Sequence, residues 1–112
     1  MIYLASPYTH ESHDVMELRF DAACRAAGKL MAEGHVVFSP IAHTHPIAVR
    51  CELPRGWDFW ERFDHEFVLA AIKLIVLKLD GWDTSKGVRA EIAIAVDAGI
   101  PVEYMEPEPC KA

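Results

Sequence analysis

The sequence predicts an α/β fold: one domain built as a three-layer sandwich, with a four- or five-stranded parallel sheet between two layers of helices. Two observations carry this expectation. Short apolar segments at 2–5, 35–39, 74–79 and 100–104 alternate with longer stretches of helical periodicity, and such stretches are the usual crossovers between parallel strands. At 112 residues, 52% hydrophobic and 25% charged, the chain is long enough for one core and too short for two.

Taken in order, Ile2 to Ala5 reads as a buried strand stopped by Ser6-Pro7, and the polar loop YTHESH follows. Asp14 and Glu17 form a D-x-x-E start signal, and Val15, Leu18, Ala22, Ala26 and Leu30 continue at helical spacing until Gly34 closes the helix. A second strand, His35 to Ser39, ends at Pro40. From there to Gly56 the chain carries Pro40, Pro46 and Pro54 without clear periodicity, which reads as a long lid or binding loop. Trp57 to about Ile72 reads as a helix facing inward through Trp60, Phe63, Phe67 and Ala71. LIVLKL, Leu74 to Leu79, is the strongest strand; a helix from about Lys86 to Ala98, stopped by Gly99, and a last strand Ile100 to Tyr104 complete the pattern. The domain is thus expected over 1–105, with 106–112 (EPEPCKA) as a loose tail.

The bulk numbers exclude several roles. A net charge of −6 argues against duplex nucleic acid as a partner. Cys24, Cys51 and Cys110 lack a CxxC pair and read as free thiols of a reducing cytosol. No apolar run approaches the roughly 20 residues that span a bilayer, and MIYLA lacks a basic lead, so neither signal peptide nor membrane anchor is expected. The expectation is a cytoplasmic protein. His10-x-x-His13 and His43-Thr44-His45 lack a third ligand in a metal-binding frame, so no metal is expected.

In open parallel sheets ligands bind beyond the carboxyl ends of the strands, which selects the loops 6–13, 39–56 and 80–87. With about 3.6 residues per turn, Glu91 lies roughly 60° around the last helix from Val88, at the edge of the stripe Val88, Ile92, Ala95 and Val96. It should be half buried near the crevice, as a boundary residue or as a reactive carboxylate. Ser85 is a natural N-cap whose hydroxyl, with the free amides behind it and Gly87 permitting close approach, could also face a sugar or phosphate oxygen. The P-loop pattern is absent. Asp64 is either a solvated helical acid or, if its face turns inward, the partner of Glu91 in the carboxylate pair that glycosidic cleavage uses. Asp80 and Asp83 read first as turn formers. His43 or His45, with Arg50 or Arg55, could meet an anion; Trp57, Phe59 and Trp60 could stack on a base, although core packing is the favoured reading.

The ordered set IYLASPY, VVFSPI, an acid on the third helix and LDGWDTSKGVRAEIAIAVDAGIPV resembles the nucleoside 2-deoxyribosyltransferase-like superfamily over nearly the whole chain, closest to a small bacterial and phage branch. The resemblance implies a flavodoxin/Rossmann-like sheet and cleavage of the N-glycosidic bond of a nucleoside or nucleoside 5′-monophosphate, by hydrolysis or by transfer. It implies Glu91 as nucleophile, Tyr3 as the strand tyrosine supporting it, and Asp64 as the acid acting at base or sugar. Ser6-Pro7-Tyr8 falls on the first substrate loop, and Ser85 falls where the nucleotide hydrolases have a serine that meets phosphate. With His43, His45, Asp80 and Gly87, these make the expected substrate-binding set. The resemblance also implies a homo-oligomer and no cofactor. Lys73 stands where relatives often carry an acid, and Gly81-Trp82 is an insertion. A non-catalytic nucleotide-binding module using the same crevice, and a structural partner assembling through its helices, are the competing readings.

Overall fold

Four parallel strands form the middle layer of the computed structural model, which describes residues 1–108. They are β1 (Ile2–Ala5), β2 (Val37–Phe38), β3 (Lys73–Leu77) and β4 (Val102–Met105), in the order β2-β1-β3-β4. Four helices connect them: α1 (His13–Ala32), α2 (Pro40–Cys51), α3 (Trp57–Leu69) and α4 (Lys86–Asp97). Tyr3 is paired with Phe38 on one side and Leu74 on the other, and Ile75 with Glu103.

Alternation along the two central strands divides the core in two. Ile2, Leu4, Ile75 and Leu77 pack with Ala26, Ala27 and Leu30 of α1, while Tyr3, Ala5, Leu74 and Val76 pack with Val68 of α3 and Val88 and Ala95 of α4. Both faces of β1 and β3 are covered, which is why these segments read as unbroken apolar runs. The chain leaves β1 toward β2 and leaves β3 toward β4, so the connections diverge between β1 and β3. That divergence opens a crevice at their carboxyl ends.

The local structure departs from the sequence expectation in four places. Ser12, not Asp14, caps α1, its Oγ accepting from the Val15 amide at 3.3 Å. The buried face of α1 is Met16, Ala23, Ala26, Ala27 and Leu30, whereas Leu18 is 67% exposed, because alanines let the helix approach the sheet closely. On α3 the buried positions are Asp64 and Val68, and Phe63 and Phe67 turn outward, Phe67 stacking on Phe38 at 4.1 Å. The largest correction is α2, which replaces most of the expected loop. Ser39 caps it by accepting from the Ala42 amide, Pro40 takes the first turn where its missing N–H is harmless, and Glu52 closes it at φ 52°. Only Pro46 lies inside the helix. Of the expected tail, Glu106 pairs with Lys78 at 2.9 Å, and residues 109–112 lie outside those described.

Leu4 is fully buried and Leu18 is not. Leu4→Ala should lower the unfolding free energy by about 2–5 kcal/mol and Leu18→Ala by less than about 0.5 kcal/mol in urea titrations followed by circular dichroism. Equal losses would mean that α1 buries Leu18 against the sheet.

Candidate active site

The site begins with the inward face of α4. Val88, Glu91 and Ala95, at i, i+3 and i+7, all point into the core, so Glu91 occupies the middle of the buried stripe and not its edge. It is 3% exposed. Tyr3 sits opposite, on the β1 face that meets α3 and α4, and its hydroxyl donates to Glu91 Oε2. Asp64, one turn before Val68 on α3, turns into the same region and is buried too.

Burial governs the electrostatics. Glu91 is pushed well above the usual carboxylate range, first by desolvation and then by the charge of Asp64, while the hydrogen bond from Tyr3 pulls the other way. Asp64 is raised from 3.8 to about 7 by burial. Tyr3 is raised well above its ordinary value by burial and by both carboxylates, so it stays a phenol and a donor. Burial thus favours the protonated form of both carboxyls, and a charge on Asp64 further discourages ionisation of Glu91.

A cavity of about 520 Å³ opens onto this pair. Ser6, Tyr8 and Thr9 line it from the loop after β1, Ile41 and Thr44 from α2, and Arg55, Trp57 and Trp60 from the approach to α3 and its first turn. Thr84, Ser85, Lys86 and Gly87 line it from the start of α4. Ser6 Oγ is buried without a hydrogen-bond partner among the described residues, an arrangement that leaves a desolvated hydroxyl at the cavity wall. Ser85 Oγ accepts from the Val88 amide at 3.3 Å and caps α4, so the first-turn amides of Lys86 and Gly87 have no partner within the helix. A Cβ on Gly87 would meet Trp57 at an ordinary 3.5 Å, so the protein's own packing does not demand glycine there.

Of the residues singled out from the sequence, Ser6, Tyr8, Asp64, Ser85, Gly87 and Glu91 line this cavity, and Tyr3 lies directly behind Glu91. Four do not line it. Pro7 is packed away in the interior, and Asp80 is exposed, contributing its carbonyl to Arg19. His43 and His45 diverge because α2 is a helix, where residues two apart point to opposite sides. His43 is exposed against Phe38 at 5.6 Å, and His45 is buried behind Tyr8. Trp57 and Trp60, read as core, are cavity wall instead.

Arg19 was invisible as a site residue, since an arginine on a helix ordinarily reads as solvated. It donates to the Tyr8 carbonyl at 3.3 Å, the Thr9 carbonyl at 3.0 Å and the Asp80 carbonyl at 3.1 Å, joining the loops that follow β1 and β3. This also accounts for Gly81, whose φ is 88° and whose missing Cβ would lie 2.8 Å from Arg19 Nη2. Trp82 packs on the core edge-on to Tyr104 at 5.5 Å. Among the described residues, no three His, Cys, Asp or Glu side chains are grouped so as to hold a metal ion. Nor is any helix among them long and apolar enough to cross a membrane.

A family model, described as a domain of unknown function (DUF1937), matches residues 1–107. No curated protein matches the chain.

Because the folded state holds the Asp64 proton more tightly than the unfolded chain does, stability from this group is full below 3.8 and is lost as pH rises through about 7. The loss amounts to at most about 4 kcal/mol. Asp64→Asn should flatten that decline, so urea midpoints of the variant at about pH 5 and about pH 8 should lie closer together than those of the parent. An unchanged decline would mean that Asp64 is solvated in the fold.

Proposed function

The chain belongs to the DUF1937 family, and we propose that it cleaves the N-glycosidic bond of a nucleoside or nucleoside 5′-monophosphate through a glycosyl ester on Glu91. The observation that carries this reading is a buried glutamate held by a tyrosine hydroxyl, with a second buried carboxyl of pKa about 7, at the floor of one cavity. The likeness of the last motif to the nucleoside 2-deoxyribosyltransferase-like superfamily points the same way.

In the productive complex Glu91 is ionised, favoured by the Tyr3 hydrogen bond and by the positive charge developing at C1′, and Asp64 carries a proton. A Glu91 oxygen attacks C1′ as the bond from C1′ to the base nitrogen breaks, and the departing electron pair takes up the Asp64 proton. Water then attacks C1′, the ester bond to Glu91 breaks, and the water proton returns to Asp64. A second base in place of water would turn hydrolysis into transfer, and exclusion of water from the cavity decides between them.

The surroundings suit such a substrate. The cavity falls within the size range of small-molecule sites. Trp57 and Trp60 offer faces to a base, Ser6 an unpaired hydroxyl, and Ser85 with the amides of Lys86 and Gly87 a seat for a phosphate or sugar oxygen. No step calls for a metal or organic cofactor. The outward aromatic row Phe59, Phe63 and Phe67 on α3 supports assembly as a homo-oligomer, and the reading places the enzyme in the cytoplasm.

Incubation with a panel of nucleosides and their 5′-monophosphates should release free base, and Glu91→Ala and Glu91→Gln should each lower the rate by at least about 10³-fold. Base release that survives both substitutions would sink the nucleophile, and saturable binding without turnover would make the protein a binding module. With Asp64 as the proton donor, base release should decline as pH rises through about 7, and Asp64→Asn should remove that limb of the profile.

A further inference from the structure

Tyr8 stands at the cavity on a support that the scheme above leaves unused. Its hydroxyl shares a short hydrogen bond with His45 Nδ1, and His45 Nε2 lies 2.9 Å from Glu17 Oε1. The imidazole is 5% exposed and fixed from both sides: the Phe20 ring lies 4.4 Å from it, and the Tyr8 ring meets it edge-on at 5.3 Å. Glu17 and Phe20 are three residues apart on α1 and so share a face, against which His45 of α2 packs.

The chemistry of the three groups sets the direction of the protons. An ionised glutamate only accepts, so the nitrogen facing it, Nε2, must carry a proton. In a neutral imidazole Nδ1 is then the acceptor, and the hydrogen it receives is the phenolic proton of Tyr8. That proton is present to be directed: burial holds the Tyr8 phenol above its ordinary value, with Arg55 opposing and Glu17 adding to the effect.

We propose that Glu17 and His45 are positioning residues that turn the phenolic proton of Tyr8 away from the cavity, so that the Tyr8 oxygen meets the substrate as a hydrogen-bond acceptor. Tyr8 is then a specificity-determining residue. It selects a ligand group that carries a hydrogen, a sugar hydroxyl or a base N–H, and disfavours an anionic oxygen at that point. The nature of the ligand group rests on the nucleoside reading; the direction of the protons does not.

The tautomer can be read without any ligand, by long-range ¹H–¹⁵N correlation on the full chain with labelled histidine. His45 should show an unprotonated Nδ1 and a protonated Nε2. Glu17→Ala, made at a half-exposed side chain and so compatible with folding, should erase this preference, and Tyr8→Phe should move the Nδ1 resonance. A doubly protonated ring, or a proton residing on Nδ1, would overturn the proposal whether or not the protein turns over nucleosides.

The second measurement uses the panel nucleoside or nucleotide that releases base fastest. Tyr8→Phe should raise KM by about five- to tenfold and by more than it lowers kcat. Glu17→Ala should raise KM in the same direction, and the double variant should be no worse than Tyr8→Phe alone. Additive effects, or an unchanged KM for Glu17→Ala, would show that Tyr8 acts without its support. A panel on which nothing is turned over would count against the glycosidic reading and leave the tautomer to decide the relay.

Discussion

The hydrogen bond from Tyr3 to Glu91 is the contact around which the molecule is arranged. A glutamate in the middle of a buried helical stripe is costly unless something in the core answers it. The answer comes from the centre of the sheet, from the strand residue that lies between Phe38 and Leu74. For that hydroxyl to reach Glu91, β1 must present its odd residues to α3 and α4, and α4 must enter the layer with Val88 and Ala95 against the same face. A register slip of one residue on β1 would put Leu4 where Tyr3 stands and leave the carboxyl unanswered.

This arrangement sets function against stability at the same atoms. Asp64 and Glu91 occupy helix positions whose neighbours, Val68, Val88 and Ala95, are fully apolar, so hydrophobic residues there would make a better core. What the carboxyls supply is a pair of acids held toward their protonated forms by burial, the property on which the proposed glycosidic cleavage draws. The unpaired Ser6 hydroxyl at the same cavity is a third departure from what the core alone would select.

The strands, three of the helices and the crevice were legible in the sequence because β1 and β3 are buried on both faces and read as continuous apolar runs. The pairing of Asp64 with Glu91 was legible as one of two alternatives, since periodicity left Glu91 at a helix edge, and Tyr3 joined them only with the resemblance. The rest was obscured for physical reasons. Three prolines hid α2, although Ser39-Pro40 is itself a helix-start signal, a capping side chain followed by a residue with no N–H to satisfy. Once that helix is missed, His43 and His45 look like neighbours in a loop when they face opposite ways. On α1 and α3 the larger side chains drew attention from the smaller ones that meet the sheet. Arg19 gave no signal, because its partners are backbone carbonyls brought together only by the fold.

Arg19 also bears on how the cavity can move. Its planar guanidinium holds carbonyls from the loop after β1 and from the loop after β3, and Gly81 leaves the space it needs. The two walls of the crevice are therefore laced together from α1, the helix whose Ala26, Ala27 and Leu30 pack on the other face of the sheet. They cannot separate without breaking bonds to a common post, and a lysine, with one small charged head in place of a rigid fork, could not span the same three oxygens. The opposite lip carries ties of its own, a hydrogen bond from Thr9 Oγ1 to the Arg55 carbonyl at 2.8 Å and the exposed ion pair of Lys86 with Asp58 at 3.4 Å, so the rim of the cavity is stitched at both ends.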